Sequence, residues 1–572
     1  MLVNPGGPGG SGVTIAMALG KSIQTVVGPH QDVIGFDPRG IGATTPRADC
    51  FSYPADGGDG EDDHVRGQFH RTLWGNAGRQ IGLVNSSSVA LQKLDTRARV
   101  QAKLCAEKDS LKGSDSIFRH LSTPTVARDM LSIVDAWDEW TAALPSESAP
   151  GKLSATDDKL RPDPSKGPIS LDTKSKLVYW GFSYGTLLGA TFAAMFPDRV
   201  GRLILDGVVD ADHYVSPLWS ESIRDADAVS RSFSRYCHGA AESCALYRDN
   251  DTVADIEERF ELIRTSIMDH PITLIDPISK MPIVISYSDI RLVLFVCLYA
   301  PTQTFPIVAM ILDSLYRGSD AVVGQIFGWP PDLELQPFCG PPPPPSLYPN
   351  EAQAAIMCSD KRYELNETIP NLHRLFEKLE TESSWADVWM TLMIGCDGWQ
   401  ISAVDPPMRW DSNPANTSKP IKTSFPVLFI SNTADPVTPL YAGVKMAQKF
   451  VDAGLIEQKS EGHCSLAAVS QCTMKKIRAY IEKGEVPPAP VRGGKGRELI
   501  DGKWDRCEAD EWPFHPYESD TWLAAKGEVG VDDVESMDAL RDMQKKFYRQ
   551  ATFLGQIGGL NMGKINDFVL QT

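Results

Sequence analysis

Gly181-Phe182-Ser183-Tyr184-Gly185 fits G-x-S-x-G, the pattern that sets a nucleophilic serine on a tight strand-to-helix elbow. The glycines are steric requirements, because neighbouring chain passes where their side chains would stand. The pattern is common by itself, and an ordinary serine in a strand–helix turn is the competing reading. Its context favours the nucleophile: residues 176–181 (KLVYWG) read as a strand and 184–196 as a helix of small residues. A serine needs a base, and the base needs an orienting acid. On this kind of fold they follow in the order Ser, acid, His, each at the C-terminal end of a strand. Of ten histidines, only His463 lies after a plausible late strand and directly before a helix. Asp435 follows the apolar strand 425–431 (FPVLFIS) and is the natural acid. Alone, Asp435 reads as an Asx-turn or helix cap, and His463 as a capping or core residue. Their joint order behind the elbow argues for a triad. His213, His238 and His373 default to structural or surface roles.

Acyl transfer also needs donors for an oxyanion. Tyr184 offers the backbone N–H after the nucleophile, and the loop Asn4–Gly12 (NPGGPGGSG) offers a second, with Gly6 and Gly7 as candidates. The same loop carries a rival chemistry. Gly7-x-Gly9-x-x-Gly12 matches a dinucleotide fingerprint, and Asp37 closes the next strand as a ribose-binding acid would. Against that reading, Pro5 and Pro8 remove N–H donors that a pyrophosphate would need, and the triad goes unused. Gly20-Lys21-Ser22 imitates the end of a P-loop, but Ile15 stands where its first glycine should be.

These residues require a sheet to hold them. Leu2-Val3, Asp32–Asp37, Lys176–Gly181, Gly201–Gly207 and Phe425–Ser431 read as strands, with a further short strand before His463. Helices are expected at 13–27, 89–108, 125–140, 184–196, 440–453 and 465–483. In the third, Val126, Met130, Ile133, Val134 and Trp137 share one face. Strands alternating with helices indicate a parallel sheet. Residues 52–90 look like a polar, glycine-rich excursion, and 142–172 like a solvated loop. From about 210 to 399 the alternation stops and helical segments dominate, broken by the proline run 341–345. The expected organisation is a core at 1–212, a helical cap at 213–395, the rest of the core at 396–490, and an extension at 491–572 ending in a helix at 533–556.

Composition narrows the function classes. The chain has 572 residues, with 56 Lys plus Arg against 74 Asp plus Glu, a net charge of −18. An acidic balance argues against a nucleic-acid partner, whose footprint is a basic face. No run of 18 apolar residues occurs, so no membrane span is expected. The eleven cysteines include no metal-site spacing, and neither metal nor cofactor is expected. The local pairs Cys237/Cys244 and Cys464/Cys472 suit disulfides, and the odd count leaves at least one thiol unpaired or intermolecular. Sequons stand at Asn85, Asn250, Asn366 and Asn416. Met1-Leu2-Val3-Asn4 is not a signal peptide. A secreted protein that continues N-terminally of this chain is the expectation.

The motifs NPGGPGGSG, DPRGIGATTPRADC, GFSYGTLLGATFAAMFPDRVGRLILDGVVD and FPVLFISNTADPVTP…GHCSL together resemble the tripeptidyl/prolyl aminopeptidase family of α/β hydrolases, over about residues 1–212 and 396–485. That resemblance implies an α/β-hydrolase fold with a mostly parallel sheet and a large helical cap. It implies a serine exopeptidase, without cofactor, acting on peptides with a free N-terminus. Carried over by position, Ser183 is the nucleophile, Asp435 the acid, His463 the base, and the Pro5–Gly9 loop with Tyr184 the oxyanion site. It also implies a Cys50–Cys105 disulfide. Family members carry further strands and a signal peptide ahead of this loop, so the N-terminal strands are expected to be missing here. The runner-up is an esterase or lipase with the same triad. A bound α-ammonium calls for a cap carboxylate, with Glu221, Asp225 and Asp227 as candidates.

Overall fold

The computed structural model describes residues 1–54, 60–143, 173–215, 219–275, 280, 282–319, 322–324, 349–361, 367–410, 419–490, 504–518 and 531–550. Its centre is a seven-stranded sheet in the order β2-β1-β3-β4-β7-β8-β9. These are β1 (Leu2–Asn4), β2 (Ile34–Gly35), β3 (Leu177–Phe182), β4 (Val200–Asp206), β7 (Leu428–Ala434), β8 (Gly454–Glu461) and β9 (Asp505–Glu508). Every neighbouring pair is parallel.

Alternate residues build the two faces. Trp180 and Phe182 of β3, Ile204 of β4, Leu428 and Ile430 of β7, and Ile456 of β8 point into one apolar layer. Tyr179, Leu203, Leu205, Phe429 and Leu455 point into the other. Both faces are therefore covered, as a parallel sheet demands. The first layer is closed by helix α1 (Gly12–Val27), helix Gln471–Lys483 and helix Val531–Gln550, through residues such as Ile15, Leu19, Ile477, Met543 and Phe547. The second layer holds α3 (Ala90–Lys112), α4 (Thr123–Ala143) and α5 (Tyr184–Met195), with α2 (His64–Arg79) outside it.

Register brings the strand ends together. Asn4 pairs with Gly181, Phe182 with Asp206, and Asp206 with Ile430, while Ala434 meets Glu461. The C-terminal ends of β1, β3, β4, β7 and β8 thus open on one edge, where ligands of open α/β sheets bind.

Several expectations are corrected. The polar stretch 52–90 contains the 16-residue helix α2, capped by Asp63, which accepts from Arg66 N at 2.9 Å. Only Gly67 of that helix is buried, so no apolar period marks it. The expected helix 465–483 is a 3₁₀ turn (Ser465–Ala467) and a separate helix (Gln471–Lys483), which Ser470 caps through Thr473 N at 3.2 Å. The segment between β4 and β7 holds eight described helices, together with an antiparallel hairpin of β5 (Ile272–Ile275) and β6 (Pro282–Ile285) that helical patterning did not show. The extension contributes β9 to the sheet edge. The proline run 341–345 lies outside the described residues, as do Asn366, Asn416 and Cys339. Asn85 and Asn250 are exposed.

Among the described residues four disulfides form, Cys50–Cys105, Cys237–Cys244, Cys358–Cys396 and Cys472–Cys507. The Cys464/Cys472 pairing is therefore wrong. Cys464 is a buried free thiol, as is Cys297. Its Sγ turns into the sheet corner toward the Asp206 carbonyl at 3.5 Å, while Cys472 opens its helix facing β9. Non-reducing peptide mapping should return Cys472 linked to Cys507, with Cys464 alkylated only after unfolding. Replacing Cys472 and Cys507 by serine opens a loop closed across 35 residues and should lower unfolding stability by about 4 kcal/mol in urea titrations.

Candidate active site

Ser183 stands between β3 and α5 with φ 55° and ψ −124°, a conformation few non-glycine residues hold. Such strain costs about 1–3 kcal/mol and persists only where surroundings enforce it. Here they do. Ser183 N donates to the Asp206 carbonyl at 2.9 Å. A Cβ on Gly181 would stand 2.5 Å from the Gly185 carbonyl oxygen, and one on Gly185 2.9 Å from the Asn4 carbonyl oxygen. The two glycines of the motif are thus fixed by contact, as the pattern requires.

Tyr184 N–H is a first-turn donor with no partner inside its helix. Gly6 lies against it, since a Cβ there would come 2.9 Å from Tyr184 N. Gly6 N, however, already donates to Asn4 Oδ1 at 2.9 Å. Among the described residues Gly7 N–H has no partner, which leaves it the available donor of the two loop candidates. The loop's bonds also bear on the dinucleotide reading. Asp37 Oδ1 accepts from Ser11 Oγ at 2.6 Å and Val13 N at 3.2 Å, so it braces the start of α1 itself.

Asp435 follows β7 with its carboxylate fully buried. It accepts from Val437 N at 3.0 Å, Thr438 N at 2.8 Å, Thr438 Oγ1 at 2.7 Å and Cys464 N at 3.0 Å. His463 Nδ1 completes the set, 2.9 Å from Oδ2 and 3.0 Å from Oδ1. With Nδ1 facing a carboxylate, the proton belongs there and Nε2 is the basic nitrogen. Thr438 Oγ1 also lies 3.1 Å from Nδ1, closing a small buried network. Residues flanking the imidazole are bent: Gly462 has φ 113°, and Cys464 has φ 63° with ψ 166°.

Asp206 ties the serine to the histidine loop. Its carbonyl receives Ser183 N and Cys464 Sγ, and its carboxylate accepts from Ser465 N at 2.7 Å and from Ser465 Oγ at 2.5 Å. Burial pushes the Asp206 carboxyl up to about 6, against those hydrogen bonds. Among the described contacts Ser183 Oγ and His463 are not hydrogen-bonded to each other. Unliganded sites often hold such pairs long or misaligned, and substrate draws them together.

The segment between β4 and β7 also reaches this corner. His463 N donates to the Tyr299 carbonyl at 2.7 Å, and the two rings stand edge to face at 4.9 Å. Tyr236 OH donates to Glu461 Oε2 at 2.7 Å. Of the three carboxylates proposed for an ammonium, Asp227 accepts from Ser384 N at 2.9 Å and Ser384 Oγ at 2.5 Å, and Glu221 lies 3.6 Å from His213 Nε2. Asp225 is the one beside the acid–histidine pair. Burial and the Asp435 charge push it up to about 6, eased by Arg224 and by the N–H groups of Leu440 and Asp435.

Asp206, Thr438, Tyr299 and Asp360 were missed from sequence. Asp206 could have been found, as a strand-end acid in GRLILDG. The others are single polar or aromatic residues without pattern. Asp360 supports Tyr184 from behind: Tyr184 OH lies 2.5 Å from Thr123 Oγ1, which donates to Asp360 Oδ2 at 2.5 Å. Burial pushes this carboxyl up to about 7.

The parallel sheet, the strained elbow and the strand-end acid and histidine are those of a hydrolase with the α/β-hydrolase fold, and the family described as alpha/beta hydrolase fold matches residues 173–261. Within that fold the chain carries a TAP-like region, since the family described as TAP-like protein matches residues 382–493. Serine protease Hip1 of Mycobacterium tuberculosis is 24% identical over 497 residues, spanning 86% of this chain and 80% of the relative. Tripeptidyl aminopeptidase of Streptomyces lividans is 25% identical over 499 residues, spanning 86% and 76%. Carboxylesterase B of Mycobacterium tuberculosis is 26% identical over 497 residues, spanning 86% and 79%.

Two variants follow from this geometry. Asp435→Asn should lower kcat by about a thousandfold or more with little change in KM, because an uncharged amide neither fixes the imidazole tautomer nor stabilises the imidazolium. Asp360→Asn probes the buried acid. A carboxyl whose folded pKa is raised from 3.8 to about 7 contributes fully at low pH and loses that contribution as pH rises toward 7. The neutral variant should therefore gain on the wild type between pH 4 and pH 7, by about 2–4 kcal/mol in paired denaturant titrations.

Proposed function

We propose that this chain is a serine exopeptidase that removes short peptides or single residues from free peptide N-termini. The observation that carries the reading is the buried Asp435–His463 pair, whose neighbour Cys464 shares the Asp206 carbonyl with the strained serine elbow. In the proposed reaction His463 Nε2 takes the Ser183 proton as Oγ attacks the substrate carbonyl. The N–H groups of Tyr184 and Gly7 receive the developing oxyanion, and His463 then protonates the leaving amine. Water completes the cycle by hydrolysing the acyl-enzyme under the same base. Asp225 is the proposed anchor for the substrate ammonium. A carboxylate that burial and the Asp435 charge leave half-protonated near pH 6 becomes ionised when a cation arrives beside it. Relatives named tripeptidyl aminopeptidase and serine protease support the peptidase reading. Four disulfides support export to an oxidising compartment.

One relative is named carboxylesterase, so an esterase with the same machinery is the second reading. Hydrolysis of an unblocked tripeptide anilide beside its N-acetylated form separates the two. The peptidase reading expects the free form to be preferred by about a hundredfold in kcat/KM, the worth of a buried ion pair. Equal turnover of both forms sinks it. Asp225→Asn should raise KM for the free form alone. In the wild type that KM should rise as pH falls through about 6, where Asp225 takes up its proton.

A further inference from the structure

Helix Val531–Gln550 lies beyond both matched regions, yet it reaches the candidate site from the apolar side of the sheet. The Phe547 ring packs 5.0 Å from Phe182, the residue immediately before Ser183. The next residue, Tyr548, donates its hydroxyl hydrogen to the carbonyl of His463. One turn earlier, Gln544 Nε2 donates to the Ala467 carbonyl at 3.2 Å, on the 3₁₀ turn that follows the histidine. Gln544 and Phe547 are buried and Tyr548 is half-buried, with its hydroxyl in the electrostatic reach of Asp435, Asp206 and Cys464. A single helix face therefore touches the elbow and the histidine loop together.

The backbone of His463 is consequently held from two sides. Tyr299 accepts its N–H, and Tyr548 binds its carbonyl. That carbonyl belongs to the peptide plane leading into Cys464, whose φ of 63° with extended ψ needs external restraint. Freed, this plane can rotate and carry the imidazole with it. We propose that Tyr548 is a positioning residue, whose hydroxyl locks the His463–Cys464 peptide and so aims His463 Nε2 at Ser183. The C-terminal helix is then part of the catalytic apparatus rather than an appendage. Tyr548 binds the His463 backbone rather than the imidazole, and its proposed role is exerted through His463. The proposal rests on the Ser183–His463 reading above.

The test uses the full chain and 4-nitrophenyl acetate, a substrate that peptidase and esterase readings both allow. Tyr548→Phe keeps the ring and removes the hydroxyl. It should lower kcat by about tenfold, the rate equivalent of one lost hydrogen bond, with KM within about twofold. Ser22→Ala serves as the structural control, because it removes the 2.6 Å Ser22–Asp542 bond that fastens the same helix to α1. It should lower Tm and leave kcat unchanged. Wild-type kcat in Tyr548→Phe overturns the proposal, and so does an equal loss of kcat in Ser22→Ala, which would make helix docking the cause. Ser183→Ala is measured alongside. If it still hydrolyses the ester, the nucleophile reading falls and this proposal with it. If it is inactive while Tyr548→Phe is unimpaired, only the proposal falls.

Discussion

A carboxylate sealed from water must find its solvation in the protein, and Asp435 does so with the N–H groups of Val437, Thr438 and Cys464, the Thr438 hydroxyl and the His463 ring. Removing any of these donors would leave charge uncompensated in a medium of low dielectric. The arrangement therefore fixes more than one side chain. It folds residues 435–438 into a turn, draws the loop after β8 down onto β7, and sets the tautomer of the imidazole. Asp206 repeats the device one strand over, holding Ser465 with its carboxylate and Ser183 with its carbonyl. Two buried acids at adjacent strand ends thus join the elbow to the histidine loop.

The proposed chemistry depends on that coupling. A serine is a weak nucleophile, and the benefit of a neighbouring base is lost with small misplacements. The strained backbone at Ser183 is tolerated because parallel strands on both sides of β3 leave it no freedom to relax. Tyr299 from the large segment after β4 and Tyr548 from the C-terminal helix then close on the histidine from opposite sides. Parts of the chain far apart in sequence converge on the backbone of one residue.

How much of this was legible in the sequence follows from physics. The elbow could be read because sterics demand glycine at 181 and 185, and the acid and histidine because strand order constrains where they fall. The parallel sheet announced itself by buried apolar runs alternating with helices. Helix α2 left no trace, since it buries almost nothing and so has no period. Cys472 found Cys507 rather than its near neighbour because a turn and a helix start intervene between 464 and 472, which local spacing does not reveal. β9 is short and charged, and only its partner β8 makes it a strand. Tyr299 and Tyr548 act through backbone atoms of another loop, a contact that no residue type predicts.

Activation of Ser183 by the proposed Asp435–His463 pair can be read out by treating the folded protein with a fluorophosphonate and locating the adduct by peptide mass. Ser183 Oγ displaces fluoride from phosphorus while its proton passes to His463, so one adduct is expected, on the peptide containing Ser183, and it should be lost in His463→Ala. An adduct on another residue, or one at Ser183 that forms equally fast without His463, would contradict that activation.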